Sequence, residues 1–480
     1  LLLAPTRGYA QFPVSVVSSN DPELPTPIER DQMLTTDQVF HMTARALDLI
    51  GGMGSVVSDT ARLVVIKPNI SIARASGTGI IADARVVRAV ALLVHEASPQ
   101  ARILIAEGAG GWVSPALADC SLVNIRSGAD RTEVLQDGFE IAGHRATVTE
   151  LQGMGIDIDV HDLNFDLAYK LQVPGGGLLW DEYELASSII DADVWINVPV
   201  AKTHGAKITC CMKNHFGLFP GTVYGWNKAR GTETHGPIPH WPRLMDETWV
   251  DLVLISQVDL NVVDMIQGTE GGAFEGEPKR SNLILAGADP IATDLVVAQL
   301  MGFNPDDFEF ADLGAQRGIG PGSIDRVDVR GGDPMVLRSR FAKSAADDGD
   351  WGEHAQTGMG PRRWTLLGPL ERDHKFSDED IVELSPVPGE DDWSEVVWFG
   401  FDKIDLDTHY DDPVQKSVYA FSHFTMATSD SVRFWIGSDE EVSVWIDGEL
   451  IYEHEGRRRH VMGGDKVPGF VEAGEHRLLV

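Results

Sequence analysis

The densest concentration of reactive side chains in this 480-residue chain runs from Lys202 to Arg230. No acidic residue lies between Asp193 and Glu233, although the chain carries 73 acids against 39 Lys plus Arg. At that average frequency roughly six acids would fall in a window of this length, so the charge is locally inverted. The window holds Lys202, Lys207, Lys213, Lys228 and Arg230, together with His204, His215 and the adjacent Cys210-Cys211. Lysines, backbone amides and glycines gathered in one loop suit a carboxylate or a phosphate. The competing reading is that these lysines only neutralise acidic surface nearby. A transition metal is a second chemistry. His204, Cys211 and His215 offer soft and borderline ligands, which suit nickel, zinc or copper better than magnesium. Asp264 and Glu270 would instead suit a hard cation. For proton transfer the candidates are His204 and Lys202, with Asp264 or Glu107 as orienting carboxylates.

These residues follow apolar runs of the kind that parallel strands buried on both faces produce, and the amphipathic stretches between the runs read as crossover helices. Arg62–Ile66 leads to Lys67-Pro68-Asn69, and Arg102–Ala106 leads to Glu107 and the glycines 108, 110 and 111. Val194–Val200 leads to Lys202-Thr203-His204. Leu260–Val263 leads to Asp264 and the loop from Gly268 through Glu270 to Gly272. Asn282–Ala286 leads to Asp289-Pro290, with Asp289 as N-cap and Pro290 at the first helical position. The fold class expected is a doubly wound, mostly parallel α/β sheet, in which ligands bind beyond the C-terminal ends of the strands. Lys67, Asn69, Glu107, Lys202, His204, Asp264, Glu270 and Asp289 are expected to converge there.

The α/β domain is expected over 14–338, preceded by a possible signal-peptide remnant or fragment end (1–13) and followed by a polar linker (339–362). Beyond 363 the texture changes to short alternating strands, and Asp447-Gly448 between two of them is a strong hairpin signal. An antiparallel β-sandwich is expected there. The formal charge of −34 disfavours nucleic acid and anionic lipid as partners, and no apolar stretch approaches a membrane span. Three cysteines, two of them adjacent, give neither a disulfide framework nor a zinc ribbon nor an intrinsic iron–sulfur cluster. No phosphate-binding loop, nucleophile elbow or complete dinucleotide fingerprint is present.

The strand-end motifs resemble family 362 of the bacterial domains of unknown function. The likeness is carried by Lys67-Pro68-Asn69, the stretch Asn197 to His204, the run Lys213-Asn214-His215-Phe216-Gly217, and Asp264 with Glu270-Gly271-Gly272 through Glu275-Gly276. It covers roughly residues 14–330 and implies an α/β domain with enzyme-like motifs and no settled reaction. Members are often found with ferredoxin-type modules, and this chain departs from that arrangement. A more distant likeness is to the nickel-pincer lactate racemases, whose order of motifs His204, Lys213 and His215 mimic, although Cys211-Met212 stands where a glycine pair is expected. The C-terminal part resembles β-sandwich accessory modules of secreted glycosidases. That likeness implies an extracytoplasmic setting and a glycan as a second partner, with Trp435 and Trp445 as sugar platform or as core.

The reading preferred on these grounds is an enzyme acting on a small anionic substrate. Lys202 and Lys213 would hold the anion, with Lys67, Asn69, Asn214, Glu107 and Glu270 around it. His204, Lys202 and Asp264 would carry the chemistry. The rival readings are a glycan-binding or surface protein with the α/β part as scaffold, and a metal or redox protein.

Overall fold

The computed structural model describes residues 12–109, 137–204, 207–225, 228, 235, 238–239, 244–344, 360–372, 374–399, 403–410, 416–426, 428–461 and 463–480. The expectations for residues 1–11, Gly110-Gly111, Cys120, Arg230 and 345–359 lie outside the described residues. The chain divides into two compact units, Leu1–Pro305 with Phe310–Ser344, and Asp306–Glu309 with Ala345–Val480.

The first unit is built on eight strands: β1 (Phe12–Ser18), β2 (Leu63–Pro68), β3 (Arg102–Glu107), β4 (Ile158–Asp162), β5 (Val194–Val198), β6 (Leu260–Glu270), β7 (Glu277–Gly287) and β8 (Val327–Gly331). They lie in the order β8-β1-β7-β6-β5-β2-β3-β4. Five neighbouring pairs are parallel, and only the two pairs involving β7 are antiparallel. The chain runs from β2 outward to β3 and β4, then returns to place β5 on the other side of β2. Strand order therefore reverses between β2 and β5, the kind of point at which doubly wound sheets leave a crevice beyond their strand ends. Helices α1 (Thr36–Leu49), α2 (Ala84–Ala97), α3 (Met245–Ser256) and α4 (Pro290–Met301) accompany the sheet.

Side-chain chemistry explains where these elements start. β2 and β5 are held in register at their entry by Asp193, whose Oδ2 accepts hydrogen bonds from the Arg62 and Leu63 amides at 2.8 and 3.0 Å. Every residue of β5 is buried, and its Val-Trp-Ile-Asn-Val run is what a strand covered on both faces requires. α1 opens on a capping box between Thr35 and Gln38. α4 opens where expected, with Asp289 accepting from the Ala292 amide at 2.7 Å and Pro290 at the first helical position.

One strand runs against expectation. The Asn282–Ala286 run belongs to β7, which is antiparallel to β6. The apolar run ending at Val263 is only the start of β6, which continues to Glu270, so a mere six residues separate the two strands. A parallel return needs a crossover of about a dozen residues or more, whereas a hairpin needs only a few. Asp289 therefore leaves the sheet in the opposite sense to the strand ends of β2, β3 and β5, and its carboxylate is used to cap α4.

The second unit carries a six-stranded antiparallel sheet, ordered Val397–Trp398, Arg363–Glu371, Lys416–Met426, Gly474–Leu479, Val442–Ile446 and Glu449–His454, and a separate ribbon of Asp430–Ile436 with Asp465–Val471. The Asp447-Gly448 hairpin forms as its sequence predicts, with φ of 51° and 88° at the two turn residues. Alternate residues of the sheet feed two apolar clusters, one around Leu367, Tyr419 and Phe421, the other around Trp364, Leu366 and Ala420. Trp445 packs against the first cluster, while Trp435 lies beneath the Lys466 ammonium at 4.1 Å. Among the described residues no helix is long and apolar enough to cross a membrane.

Replacing the N-cap of α4, Asp289→Ala, leaves the Ala292 amide unpaired and should cost about 1 kcal/mol in equilibrium urea unfolding.

Candidate active site

Lys67 is completely buried at the end of β2, and its ammonium has three acceptors for its three protons. They are Glu107 Oε2 at 3.0 Å, Asn214 Oδ1 at 3.1 Å and the Pro68 carbonyl at 3.3 Å. Glu107, at the end of β3, is itself fixed by the amides of Ile70 (3.0 Å) and Gly108 (2.8 Å). Because an ammonium only donates, Lys67 dictates which end of each neighbouring amide faces it. Asn214 turns its oxygen to Lys67 and to Asn69 Nδ2 (3.1 Å), and donates to Asn197 Oδ1 at 2.7 Å. Asn197 in turn donates to Asn261 Oδ1 at 2.9 Å, and Asn261 to the carbonyls of Gly287 and Ala288 at 3.1 and 3.2 Å. A directed chain of amides thus crosses from β2 through β5 to β6.

Gly217 closes over the pair. A Cβ there would stand 2.0 Å from Glu107 Oε1 and 2.6 Å from Lys67 Nζ, so no larger residue fits without moving the ions. This explains why the run Lys213-Asn214-His215-Phe216-Gly217 ends in glycine.

Three further lysines surround this network. Lys202 Nζ donates to Asn69 Oδ1 at 3.0 Å and to the Ile80 carbonyl, with the Phe274 ring centred 5.6 Å away. Lys228 Nζ donates to Asn164 Oδ1 and, at 2.7 Å, to the Phe219 carbonyl, and Asn164 bonds the Ala109 carbonyl past the end of β3. Lys213 lies over the Phe216 ring at 5.1 Å. Lys202 and Lys228 are buried, and Lys213 is half-buried. Burial, then the neighbouring Lys213 ammonium, pushes Lys202 down to about 7. Burial lowers Lys213 to about 8 and Lys228 to about 7, the latter against the pull of Asp162 and Glu107. Among the described residues no carboxylate forms an ion pair with Lys202, Lys213 or Lys228. Lys207, by contrast, is paired with buried Asp246 at 2.5 Å.

The remaining candidates are placed elsewhere or otherwise engaged. Asp264 sits in mid-strand, bridged to Val200, and its two oxygens accept from the Asp83 amide (2.7 Å) and the Ile266 amide (3.0 Å). It anchors the entry to α2, and burial together with the Asp83 carboxylate pushes it up to about 7. Glu270 lies at the far end of β6, where it accepts from Lys279 Nζ and the Ala342 amide, both at 2.8 Å. His204 pairs with Lys207 across a short hairpin and is half-buried. His215 is buried edge-on to Trp195, and its Nδ1 donates to the Cys211 carbonyl at 2.9 Å. Burial pushes it down to about 4, so its imidazole is neutral. His204, Cys211 and His215 do not form a ligand group. Among the described residues the donor atoms that do cluster, within 4.8 Å, belong to Cys210, Cys211 and Asp294. Asp294 already accepts from the Cys211 and Met212 amides at 2.8 and 2.9 Å, and burial pushes the Cys210 thiol up to about 12.

Residues 64–299 match the family model described as Domain of unknown function (DUF362). The DUF362 match begins in β2 and ends in α4, and so contains every lysine and asparagine of the network. The thylakoid-associated protein sll1697 of Synechocystis sp. is 27% identical over 285 residues, which make up 58% of this chain and 74% of that protein. The lactate racemase apoprotein from Thermoanaerobacterium thermosaccharolyticum is similar with a TM-score of 0.29 and 10% identity, over 57% of this chain and 59% of that one.

Within the DUF362 region, Asn261 and Asn164 escaped the sequence reading and Asn197 entered it only as the first residue of a motif, although two of the three carry a signal. An asparagine inside a strand buried on both faces needs a partner, as Asn197 and Asn261 do. Lys228 was visible only as one lysine of the acid-free window. Its meeting with Asn164, 64 positions away, is not local information.

Removing one member of the central ion pair leaves the other buried and uncompensated. Lys67→Met should destabilise the protein by about 3–5 kcal/mol, and adding Glu107→Gln should recover part of that loss. Equal losses in the single and double variants, measured by chemical denaturation, would show that the pair is not the organising charge.

Proposed function

We propose that the first unit is an enzyme acting on a small anionic substrate, carboxylate- or phosphate-bearing, held by Lys202 and Lys213 beyond the ends of β2 and β5. The observation that carries this reading is the group of buried or half-buried ammoniums with no acid partner among the described residues, in a chain whose formal charge is −34. A buried unpaired charge is costly, so such a group either sheds its proton or meets an anion. Lys67 needs no ligand, because Glu107 already supplies its anion. Lys202 and Lys213 stand close enough to disfavour each other's charge, and an anion between them would relieve both.

Proton transfer falls first to Lys202, whose value near neutrality lets it give and take a proton at physiological pH. His204, two positions along the same short strand and therefore on its same face, is the accompanying acid/base candidate. Asn69 aligns Lys202, and the Asn214–Asn197–Asn261 chain holds Asn69 in turn. Asp264 acts at one remove by fixing the start of α2.

The sign of the pH dependence follows from these groups. Lysines lowered to about 7 or 8 in the folded protein remain protonated to about 10 when unfolded. Between those values the unfolded chain holds more protons, so stability from these groups rises with pH from 7 towards 10. Asp264 and Asp294, raised to about 7 and about 6, act oppositely below neutrality, where the folded chain holds more protons and stability falls as pH rises. These groups therefore leave the ligand-free protein least stable near pH 7, where an anion has most to offer. Calorimetric titration with small carboxylates and with inorganic phosphate should show affinity falling by up to about tenfold per pH unit above pH 7. The Lys202→Ala/His204→Ala variant should lose binding while keeping its circular dichroism. Binding that is independent of pH and unchanged in the variant would refute the assignment.

A further inference from the structure

We infer that Lys202 is an amine nucleophile that forms an imine with a 2-oxo carboxylate, which deepens the anion-site reading and rests on it. The argument starts from counting protons at two lysines in one network. Lys67 Nζ has three acceptors, one of them a carboxylate, which is the complement of an ammonium. Lys202 Nζ has two, Asn69 Oδ1 and the Ile80 carbonyl, both neutral. Two acceptors are the complement of a neutral amine: both N–H bonds are satisfied and the lone pair is left over. As an ammonium the same nitrogen would carry a third proton whose only neighbour among these is the face of Phe274, 5.6 Å away.

The surroundings keep the amine neutral. Lys202 lacks a carboxylate partner among the described residues, and it is both buried and opposed by the Lys213 charge, the two circumstances that activate an amine towards carbonyl carbon. Its acceptors are also rigid. Asn69 is held by Asn214, and the loop bearing Ile80 is pinned where Gly79 meets Gly268, since a Cβ on Gly79 would stand 2.5 Å from the Gly268 carbonyl oxygen. The lone pair thus has a fixed direction, as a nucleophile requires.

Lys213 selects the substrate class. Lys213 is the cation whose charge opposes that of Lys202, and a substrate with a carboxylate on the carbon beside its carbonyl, a 2-oxo acid, would answer both groups. Nζ forms the C–N bond while the carbonyl π pair moves onto oxygen, which takes a proton from Lys213. One of the two protons on nitrogen then returns to Lys213 and the other passes to the hydroxyl, the nitrogen lone pair forms the C=N bond as the C–O bond breaks, and the oxygen leaves as water. The sum is amine plus ketone to imine plus water, with no oxidant or reductant. Lys228 also has two neutral acceptors and is lowered as far, to about 7, with Asp162 and Glu107 pulling against the shift where Lys202 has Glu107 alone.

The test uses the full chain, pyruvate as probe and borohydride to reduce any imine to a stable secondary amine, followed by intact mass measurement and peptide mapping. At pH 7 an ordinary lysine is free amine to roughly one part in a thousand, so the adduct should form at Lys202 about 100-fold or more in excess of ordinary lysines. It should vanish in Lys202→Arg and form several-fold more slowly in Lys213→Met. Mapping on the unsubstituted protein decides the matter even if a variant fails to fold. An adduct at Lys228, or one scattered over many lysines, would overturn the assignment. Propionate, which has the carboxylate but no ketone, separates the two levels. Calorimetric binding of propionate with no pyruvate adduct would sink the imine and leave the anion site standing, whereas failure of both would remove both.

Discussion

The ammonium of Lys67, wholly buried at the end of β2, is the charge to which the rest of the site is referred. Its cost is met by Glu107 from β3 and by the oxygen of Asn214. Because Lys67 and these two partners come from three separate stretches of chain, the pairing also ties the ends of β2 and β3 to the short helix Cys211–Asn214. The order of donors and acceptors then has no freedom left. Asn214 must show its oxygen to Lys67, so its amide must face Asn197, and the sequence of bonds ends on the backbone of β7. Gly217 belongs to the same constraint, since the backbone has to lie against the ions with no side chain between them.

This rigidity sets apart the lysines that are not neutralised. Lys67 and Lys207 have buried acid partners, whereas Lys202, Lys213 and Lys228 have none among the described residues. Within the acid-free window the contrast between Lys207 and the other three lysines separates a neutralised cation from unpaired ones, and sequence alone does not contain it. The short spacing of lysines is visible along the chain. Which of them meets an aspartate depends on Asp246, 39 positions from Lys207.

Much of the frame was legible because it is local. Apolar runs ending in Lys67-Pro68-Asn69, Glu107 and Lys202 mark strand ends, and Asp289-Pro290 marks the start of a helix, since periodicity and capping are properties of neighbouring residues. Strand direction is not local. Asn282–Ala286 reads identically whether it runs up or down the sheet, and only the six-residue connection from Glu270 to Glu277 settles it. For the same reason Asp264 was read as a strand end, although its strand continues six residues further and its carboxylate turns to the entry of α2. His215 and Cys211 are adjacent enough in sequence to suggest a shared metal, but the short helix between them turns the imidazole onto the Cys211 carbonyl, not its sulfur.

The claim on which everything functional depends is that Lys202 titrates near neutrality in the folded protein and senses an anion bound beside it. Selective isotopic labelling of the twelve lysines and NMR titration of their Cε resonances reads this directly. The account predicts that the Lys202 resonance titrates near pH 7 in the ligand-free protein and moves upward when a small carboxylate is added. A Lys202 resonance that titrates near 10 with and without carboxylate would contradict it.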